Sequence, residues 1–282
     1  MKTTPTLFAF YAFVLSLTVF SSCQPSEEDC ANALVSQAQQ MVHAGQWRQA
    51  LIVLDSVHST YPRQVAQRRQ AKALSDSIHY LEAQQTLAYT DTLLPPLLEQ
   101  VDKLIRQFKY EKDERYENVG KYVHKLLSTN KNDSRNFLQS YVQDNHETIV
   151  KSYYYGTTQV GQASVCLSAD GEEQIFAGSN HHFEAEGHHE IMTLQGDPAL
   201  ALLNFISSHY QSRIRVEGRR ASGKSGWVYY LGDNEKQALS QTYQLGWLMK
   251  DIKRIEQMQQ SANRIIGKWE ADHPQTCTQI QE

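Results

Sequence analysis

The sequence lacks the short motifs that identify most enzymes and nucleic-acid-binding proteins. It has four cysteines in 282 residues and no Cys-x-x-Cys pair, which excludes zinc-ribbon and thioredoxin-type motifs. It has no Gly-x-Ser-x-Gly segment, which excludes the nucleophile elbow of α/β-hydrolases. Its formal net charge of −4 leaves no basic excess to neutralise nucleic-acid phosphates. We therefore expect no nucleic-acid partner, no cofactor and no catalytic residues of these classes.

The most apolar run, residues 7–20, is too short to cross a bilayer as a helix. A helix of this length rises about 21 Å, against a hydrocarbon core of about 30 Å. Lys2 precedes the run, and Ser21 and Ser22 follow it, an order typical of secretory signal peptides. The sequence therefore predicts a signal peptide over residues 1–22. Its removal would delete one lysine and no acid, and would leave a net charge of −5.

Phe20, Ser21, Ser22 and Cys23 resemble the lipobox of bacterial lipoproteins, although Phe20 stands where that family usually has leucine. The resemblance implies that Cys23 is diacylated and becomes the new amino terminus. Two acyl chains anchor a protein to a membrane stably, whereas one chain does not. We expect a lipid-anchored protein of the cell envelope, in the outer membrane, on either of its faces. A plain secretory signal and an uncleaved anchor are the alternatives.

The sequence predicts that both ends of the mature chain are flexible. Residues 271–282 predict a flexible tail, and residues 23–30 predict a tether with the acidic residues Glu27, Glu28 and Asp29. An acidic run after the lipidated cysteine often accompanies delivery to the outer face in related Gram-negative lipoproteins, which favours that location.

Three cysteines remain beyond Cys23. Cys30 and Cys277 lie near the two ends of the folded part and could pair in an oxidising periplasm. Cys166 lies in an apolar strand pattern, which is typical of a small core residue.

Residues 31–62 resemble the second half of a tetratricopeptide repeat. The matching positions are a turn glycine, small and aromatic packing residues and a closing proline: Leu34, Ala38, Gly45, Trp47, Ala50, Leu54, Val57 and Pro62. The next 34 residues do not repeat the pattern, and a lone repeat cannot bury its own face. We expect a helical hairpin that opens a helical region over residues 31–110, and no repeat array.

Two later segments carry apolar seams with steps of three and four residues, as in a heptad repeat. The first seam is Ala71, Leu74, Ile78, Leu81, Gln85 and Ala88, and the second is Leu245, Leu248, Ile252, Ile255, Gln259, Ala262, Ile266 and Trp269. Pro95 and Pro96 should end the first helix, and the second seam predicts a long helix over residues 233–270. This helix either packs back on the helical part, with Gln85 near Gln259, or packs separately on the core.

Between the seams, Tyr, Val and Ile alternate with polar residues in short segments divided by turn signals. The segments are residues 121–127, 136–142, 148–155, 163–168, 173–178, 181–194, 212–218 and 226–231. Residues 197–209 interrupt them with one helix, because Asp197 can cap it and Pro198 suits its first turn. We predict an α+β fold with an antiparallel β domain over residues 118–232.

Residues 110–124, taken with the sheet segments and the closing helix, resemble a family of uncharacterised envelope lipoproteins from Gram-negative bacteria. The resemblance covers most of the mature chain. It implies the compartment and the domain order, and it implies no activity.

A phosphate-loop match occurs from Gly218 to Ser225 (GRRASGKS). Such a loop binds nucleotide only when a helix amino terminus follows and directs backbone N–H groups at the phosphates. Residues 226–231 are aromatic and β-branched instead, and they predict a strand. We interpret the match as a hairpin turn that coincides with the motif, and we expect no nucleotide.

The segment from His181 to Glu190 is the best candidate for a metal site. On one extended strand, a single face would carry His182, Glu184, Glu186, His188 and Glu190. Imidazole and carboxylate are zinc ligands, which makes His182, Glu184 and His188 candidates. A solvated polar face is the alternative that we favour, since Gly187 can bend the strand.

The sequence therefore favours a non-enzymatic envelope lipoprotein whose helical hairpin or sheet surface binds a protein or glycan partner. An aromatic platform for that partner could come from Tyr153, Tyr154, Tyr155, Tyr229 and Tyr230. At a period of two, such residues more often pack half inward as ordinary sheet residues, and we favour this alternative. An envelope metal-dependent hydrolase using the segment from His181 to Glu190 is the first alternative. A structural subunit that self-associates through its long helices is the second.

Overall fold

The structure, a computed structural model, describes residues 25–115, 118–127, 135–184 and 187–274. The predicted α+β class is confirmed. The helices of this described part are α1 (Glu27–His43), α2 (Trp47–Thr60), α3 (Val65–Leu104), α4 (Asp197–Ser208) and α5 (Asp233–Asp272), with a 3₁₀ turn at Ile105–Gln107 after α3. No helix in this part is both long enough and apolar enough to span a bilayer. The predicted signal peptide and Cys23 lie outside the described residues.

The β domain consists of two antiparallel sheets. Its strands are β1 (Phe108–Glu111), β2 (Lys121–His124), β3 (Phe137–Gln143), β4 (Thr148–Gly156), β5 (Gln162–Ala169), β6 (Glu172–Ala177), β7 (Ser179–Glu184), β8 (His188–Gln195), β9 (Arg215–Arg220) and β10 (Ser225–Tyr230). One sheet has the strand order β1-β2-β3-β4-β8-β7, and the other has the order β10-β9-β5-β6. The β domain begins at Phe108 and not at residue 118, because β1 pairs with β2.

The described residues form two compact units. Residues 25–85 and 262–274 belong to the first unit, and the described residues between 86 and 261 belong to the second. Helices α3 and α5 therefore each contribute residues to both units. The core of the first unit consists of Val35, Ala38, Ala50, Leu54, Val57, Ala71 and Ile78.

The predicted hairpin of α1 and α2 forms the start of the first unit. Gly45 has a φ of +74°, a conformation that glycine adopts without steric cost, so it lets the chain turn between the helices. Ala38, Ala50 and Leu54 are fully buried between them. The side chain of Gln67 at the start of α3 donates to the amide oxygen of Asn32 in α1 at 3.2 Å.

The acidic tether predicted over residues 23–30 is wrong for its second half, because α1 begins at Glu27. The Ser26 hydroxyl accepts from the backbone N–H of Asp29 at 3.1 Å, and the Asp29 carboxylate accepts from the backbone N–H of Ser26 at 3.2 Å. This reciprocal pair is a capping box. The acidic residues of the first turn also oppose the positive end of the helix dipole.

Helix α3 continues through Pro95 and Pro96, so the predicted break at these residues is wrong. Prolines remove backbone donors and crowd the preceding turn, but tertiary packing supports the helix on both sides of them. Leu94, Leu97 and Val101 pack in one cluster with residues of α5. The prediction treated the prolines as local signals and could not include this packing.

The predicted packing of the C-terminal helix on the helical part is confirmed. In the second unit, Leu245, Leu248 and Ile252 of α5 join the cluster that contains Val101 of α3. In the first unit, the rings of Tyr80 and Trp269 stack with centroids 4.6 Å apart. Helix α5 extends to Asp272, two residues beyond its predicted end and into the predicted tail.

The predicted pairing of Gln85 with Gln259 is wrong. The Gln259 amide donates to the carboxylate of Asp91 at 2.8 Å, and the side chain of Gln85 is exposed. After Ile78, the next buried apolar residue of α3 is Ala83, whereas Leu81 of the predicted seam is exposed. The buried face of α3 therefore does not keep the predicted spacing of three and four residues. An α-helix has 3.6 residues per turn, so a straight stripe drifts away from a strict heptad pattern.

The core of the second unit lies between the two sheets and α4. Its fully buried residues include Leu138 of β3, Val150 of β4, Leu167 of β5 and Met192 of β8. Helix α4 closes this core with an almost entirely buried apolar set, Ala199, Leu200, Leu202, Leu203, Phe205 and Ile206. The inserted helix is therefore confirmed, although Asp197 makes no capping bond and pairs with Lys250 instead.

Candidate functional site

The segment from His181 to Glu190 is a hairpin and not the single strand that the metal-site prediction assumed. Strands β7 and β8 pair antiparallel, with His182 opposite Glu190 and Glu184 opposite His188. Gly187 has a φ of +145° and lies immediately before β8, where a side chain would strain the backbone. Glu186 lies outside the described residues. The hairpin register, rather than alternation along one strand, brings His182, Glu184 and His188 together.

These three side chains form a compact group of possible metal ligands. One ligand atom from each lies within 4.8 Å of the others. His182 Nε2 is 3.2 Å from His188 Nδ1, and His188 Nδ1 is 3.6 Å from a carboxylate oxygen of Glu184. The histidines are partly buried and Glu184 is exposed, so the group is open to solvent on one side.

Glu190, which the sequence placed in the same face, has a different role. Its fully buried carboxylate accepts from the backbone N–H groups of Val160 at 2.6 Å, Gly161 at 2.7 Å and Gln162 at 2.6 Å. It also accepts from the side-chain amide of Asn180 at 2.9 Å. Burial alone would raise the pKa of Glu190, but the backbone donors outweigh it and hold the pKa below its usual value. Glu190 therefore fixes the connection between β4 and β5 to the hairpin.

The segment from Gly218 to Ser225 is a hairpin turn between β9 and β10, as predicted from the residues that follow it. Gly223 has a φ of +79°, and its N–H donates to the carbonyl of Arg220 at 2.8 Å. The Trp227 ring lies directly over Gly218, where a Cβ atom would meet its indole nitrogen at 2.2 Å. Glycine at position 218 therefore leaves room for the Trp227 ring to pack across the two strands.

The five tyrosines proposed as one aromatic platform do not share a surface. Tyr154 is buried in the core of the second unit. Tyr153 stacks on Phe137 with ring centroids 4.4 Å apart, and burial raises its pKa. Tyr229 packs against the core, while Tyr230 is exposed beneath the guanidinium of Arg213. These tyrosines therefore pack as ordinary sheet residues, the alternative that the sequence favoured, because alternate residues of a strand point to opposite faces.

The cysteines offer no activated nucleophile among the described residues. Cys166 is fully buried, and burial raises the pKa of its thiol to about 11, so the thiol stays protonated at neutral pH. Cys30 has no disulfide partner among the described residues, and its proposed partner Cys277 lies outside them.

A cleft between α3 and α5 in the second unit was not predicted. Its volume is about 550 Å³, which falls within the range of about 300–1,000 Å³ that is usual for small-molecule sites. Its lining contains four amide side chains, two aromatic rings, one lysine and two leucines: Gln100, Lys103, Leu104, Gln107, Gln241, Tyr243, Gln244, Trp247 and Leu248. Trp247 is half exposed, at 50%, although it lies on a packed helix.

A buried histidine orients one amide of this cleft. The backbone N–H of Leu126 donates to His124 Nδ1 at 3.2 Å, which leaves the ring proton on Nε2. His124 Nε2 therefore donates to the Gln241 amide oxygen at 2.6 Å. Burial lowers the pKa of His124, which keeps the ring neutral and this pattern intact. The NH₂ group of Gln241 consequently remains as the donor end of a fixed amide in the cleft wall.

The cleft escaped prediction because its residues come from two distant parts of the chain. Gln100 and Gln107 flank the end of α3, whereas Gln241 and Gln244 lie in α5. One local signal was present: Trp247 lies between Leu245 and Leu248 but outside the apolar seam. A tryptophan on the polar side of an amphipathic helix is a possible contact residue.

Comparisons of the chain with protein-family models, curated proteins and solved structures return no match. The fold and the sites by themselves define an α+β protein with a helical unit and a two-sheet unit. Its second unit contains an amide-lined cleft and a cluster of two histidines and a glutamate.

Proposed function

We propose that the protein is a lipid-anchored, non-enzymatic protein of the cell envelope that binds an uncharged oligosaccharide in the cleft between α3 and α5. The observation that carries the proposal is the exposed indole of Trp247 among four glutamine side chains. An indole presents a flat apolar face that can cover the C–H face of a sugar ring. Side-chain amides each offer donors and an acceptor to hydroxyl groups.

The charges of the cleft favour a neutral ligand. Lys103 is the single charged residue of the described lining, and its ammonium pairs with Glu99 at 2.6 Å. Because the pair neutralises itself, the lining offers little attraction for a phosphate or a carboxylate ligand. The amide of Gln241, held by neutral His124, supports hydrogen bonding without charge. A neutral polyhydroxyl compound fits this combination of groups better than an anionic one.

The compartment in this proposal rests on the sequence. Residues 20–23 resemble a lipobox, and the mature chain resembles Gram-negative envelope lipoproteins in its domain order. A surface or periplasmic lipoprotein meets glycans of the envelope and its surroundings, so an oligosaccharide ligand is consistent with the anchor.

Replacing Trp247 with alanine is expected to weaken oligosaccharide binding at least about ten-fold, since an exposed aromatic contact contributes on the order of 1.5 kcal/mol or more. The measurement is tryptophan fluorescence and calorimetry of the full mature chain against a panel of neutral oligosaccharides of four or more sugars. Gln241→Leu should also weaken binding, because it removes the fixed amide.

Tyr89→Ala is the control for this prediction. Tyr89 is an aromatic residue of α3 with 58% of its surface exposed, and it does not line the cleft. Its replacement should leave the affinity unchanged. Wild-type protein that binds no member of the panel, or Trp247→Ala protein with wild-type affinity, would overturn the proposed ligand.

Replacing Cys23 with alanine is expected to abolish both lipid labelling and membrane retention, because the anchor depends on the acylated thiol. Cells grown with a palmitate analogue are fractionated, and the label and the protein are followed together. Cys30→Ala is the matched control and should keep both. A wild-type chain found unlabelled in the soluble fraction would remove the anchor from the proposal and leave the cleft to be tested separately.

A further inference from the structure

We propose that the hairpin of β7 and β8 binds one zinc ion through His182, Glu184 and His188. The proposal is independent of the oligosaccharide cleft, because it rests on other residues and on a different chemistry. It adds a metal site to the second unit.

The separations between the ligand atoms match those of a tetrahedral zinc site. Zinc binds imidazole nitrogen and carboxylate oxygen at about 2.0–2.2 Å, so neighbouring ligand atoms in a tetrahedron lie about 3.3–3.6 Å apart. His188 Nδ1 lies 3.2 Å from His182 Nε2 and 3.6 Å from Glu184 Oε1. The third lies within 4.8 Å, so a small rotation of the exposed Glu184 side chain completes the triangle.

Without metal, the two imidazoles share a hydrogen bond between the nitrogens that face each other. One ring donates and the other accepts. For both nitrogens to coordinate zinc, the donating ring moves its proton to its other nitrogen. The metal therefore replaces the hydrogen bond between the rings with coordination by both nitrogens.

The backbone that carries the ligands is held in place by groups beyond them. His182 is paired across the hairpin with Glu190, whose buried carboxylate binds three backbone N–H groups and the amide of Asn180. On the opposite face, Phe183 stacks on His189 with ring centroids 4.8 Å apart. These contacts fix the register that places the diagonal pair His182 and His188 on one face. Preorganisation of this kind lowers the cost of ordering a site.

The ligand set determines which metal fits. Two imidazoles and one carboxylate suit zinc and neighbouring transition metals, whereas Mg²⁺ prefers oxygen ligands in octahedral geometry. Three protein ligands leave the fourth tetrahedral position to water or to an incoming ligand, and solvent reaches the cluster on the side of Glu184, whose side chain is 72% exposed. The site is therefore of the open type.

Calorimetric titration of the full mature chain with Zn²⁺ alone tests the site. We expect one zinc per chain, no heat with Mg²⁺ at the same concentration, and a higher melting temperature with zinc present. The variant His182→Ala/His188→Ala should lose this zinc. Glu184→Gln should weaken the zinc affinity at least about ten-fold. Replacing a residue that only supports a metal ligand already costs about ten-fold or more, and Glu184 is itself a ligand in this proposal.

The matched control is His181→Ala. It removes a histidine from β7, the strand that carries His182 and Glu184, but from the opposite face of the hairpin, and it should keep zinc binding. Absence of binding by the wild type, retention by the site variant, or equal loss in the control would each overturn the proposal. If circular dichroism shows that the double site variant does not fold, the zinc affinity of Glu184→Gln becomes the test of the site. The fold should tolerate this substitution, because the side chain is exposed. Wild-type affinity in Glu184→Gln would then refute the site.

Discussion

Replacing Glu190 with glutamine is expected to lower the free energy of unfolding by about 2–4 kcal/mol. Val160 and Gly161 donate to one carboxylate oxygen, and Gln162 and Asn180 donate to the other. A glutamine keeps one acceptor oxygen and turns an NH₂ group toward the other two donors. Each buried donor left without an acceptor costs about 1–3 kcal/mol. Urea unfolding at neutral pH measures the loss.

The same carboxylate should make stability depend on pH. An acid whose pKa is lower in the folded than in the unfolded state stabilises the fold at pH values above both, and this contribution is lost as the pH falls through the folded-state pKa. Unfolded glutamate titrates at about 4.3, and the pKa of Glu190 in the fold lies below its usual value. The stability difference between wild type and Glu190→Gln should therefore be constant at neutral pH and shrink below about pH 4.

Glu172→Gln is the control for both measurements. The Glu172 carboxylate is a surface partner of His209, at 3.4 Å, with 68% of its side chain exposed. Its replacement should change the free energy of unfolding by less than about 0.5 kcal/mol. Equal effects of the two substitutions would show that the Glu190 hydrogen bonds contribute no more than an exposed pair.

Replacing glycine with alanine should have opposite effects at two positions of α5. At Gly246 a Cβ atom would lie 2.3 Å from the hydroxyl oxygen of Thr148 and 3.1 Å from Leu200, so Gly246→Ala should lower the free energy of unfolding by about 1–3 kcal/mol. At Gly267 a Cβ atom meets nothing within 4 Å. Gly267→Ala should raise the stability of the first unit by about 0.5–1 kcal/mol, because alanine favours the helix. Thermal and urea unfolding of both variants give the comparison.

A second substitution tests the cause of the Gly246 effect. Within the described residues, the Thr148 hydroxyl is buried without a hydrogen-bond partner, so Thr148→Ala removes the clash at little hydrogen-bonding cost. The double variant Gly246→Ala/Thr148→Ala should regain most of the stability that Gly246→Ala loses. If Gly246→Ala is as stabilising as Gly267→Ala, the close approach of α5 to β4 is wrong.

The elements of this fold were predictable where the signal is local. The hairpin of α1 and α2 followed from Gly45 and the spacing of small residues, and the apolar seam of α5 held over its whole length. Predictions failed where distant packing decides the outcome. Pro95 and Pro96 remain inside α3 because α5 packs beside them, and β1 was missed because its four residues form a strand only by pairing with β2.

The three metal-ligand candidates lie together, but not in the arrangement along one strand that the sequence suggested. His182, Glu184 and His188 were chosen by alternation along one strand, which also selected Glu190. The hairpin register gives Glu190 backbone partners instead. The cleft between α3 and α5 could not be predicted, since the position of Gln100 relative to Gln244 depends on how two 40-residue helices pack. The residue spacing within α3 or within α5 alone does not indicate how the two helices are aligned.

The first unit is assembled from both ends of the chain, and this has a consequence for the order of folding. Synthesis delivers the chain from its amino terminus, so the Tyr80 ring is made long before Trp269, on which it stacks. The second unit is continuous in sequence and can fold before the last turns of α5 emerge. Once folded, the second unit holds its first and last residues, 86 and 261, at a fixed separation, whereas an unfolded chain would leave a long flexible loop between them. Bringing together the two segments of the first unit therefore costs less conformational entropy. A chain truncated before residue 262 would therefore retain the second unit, with the cleft and the histidine cluster, and leave the first unit without its final helical turns.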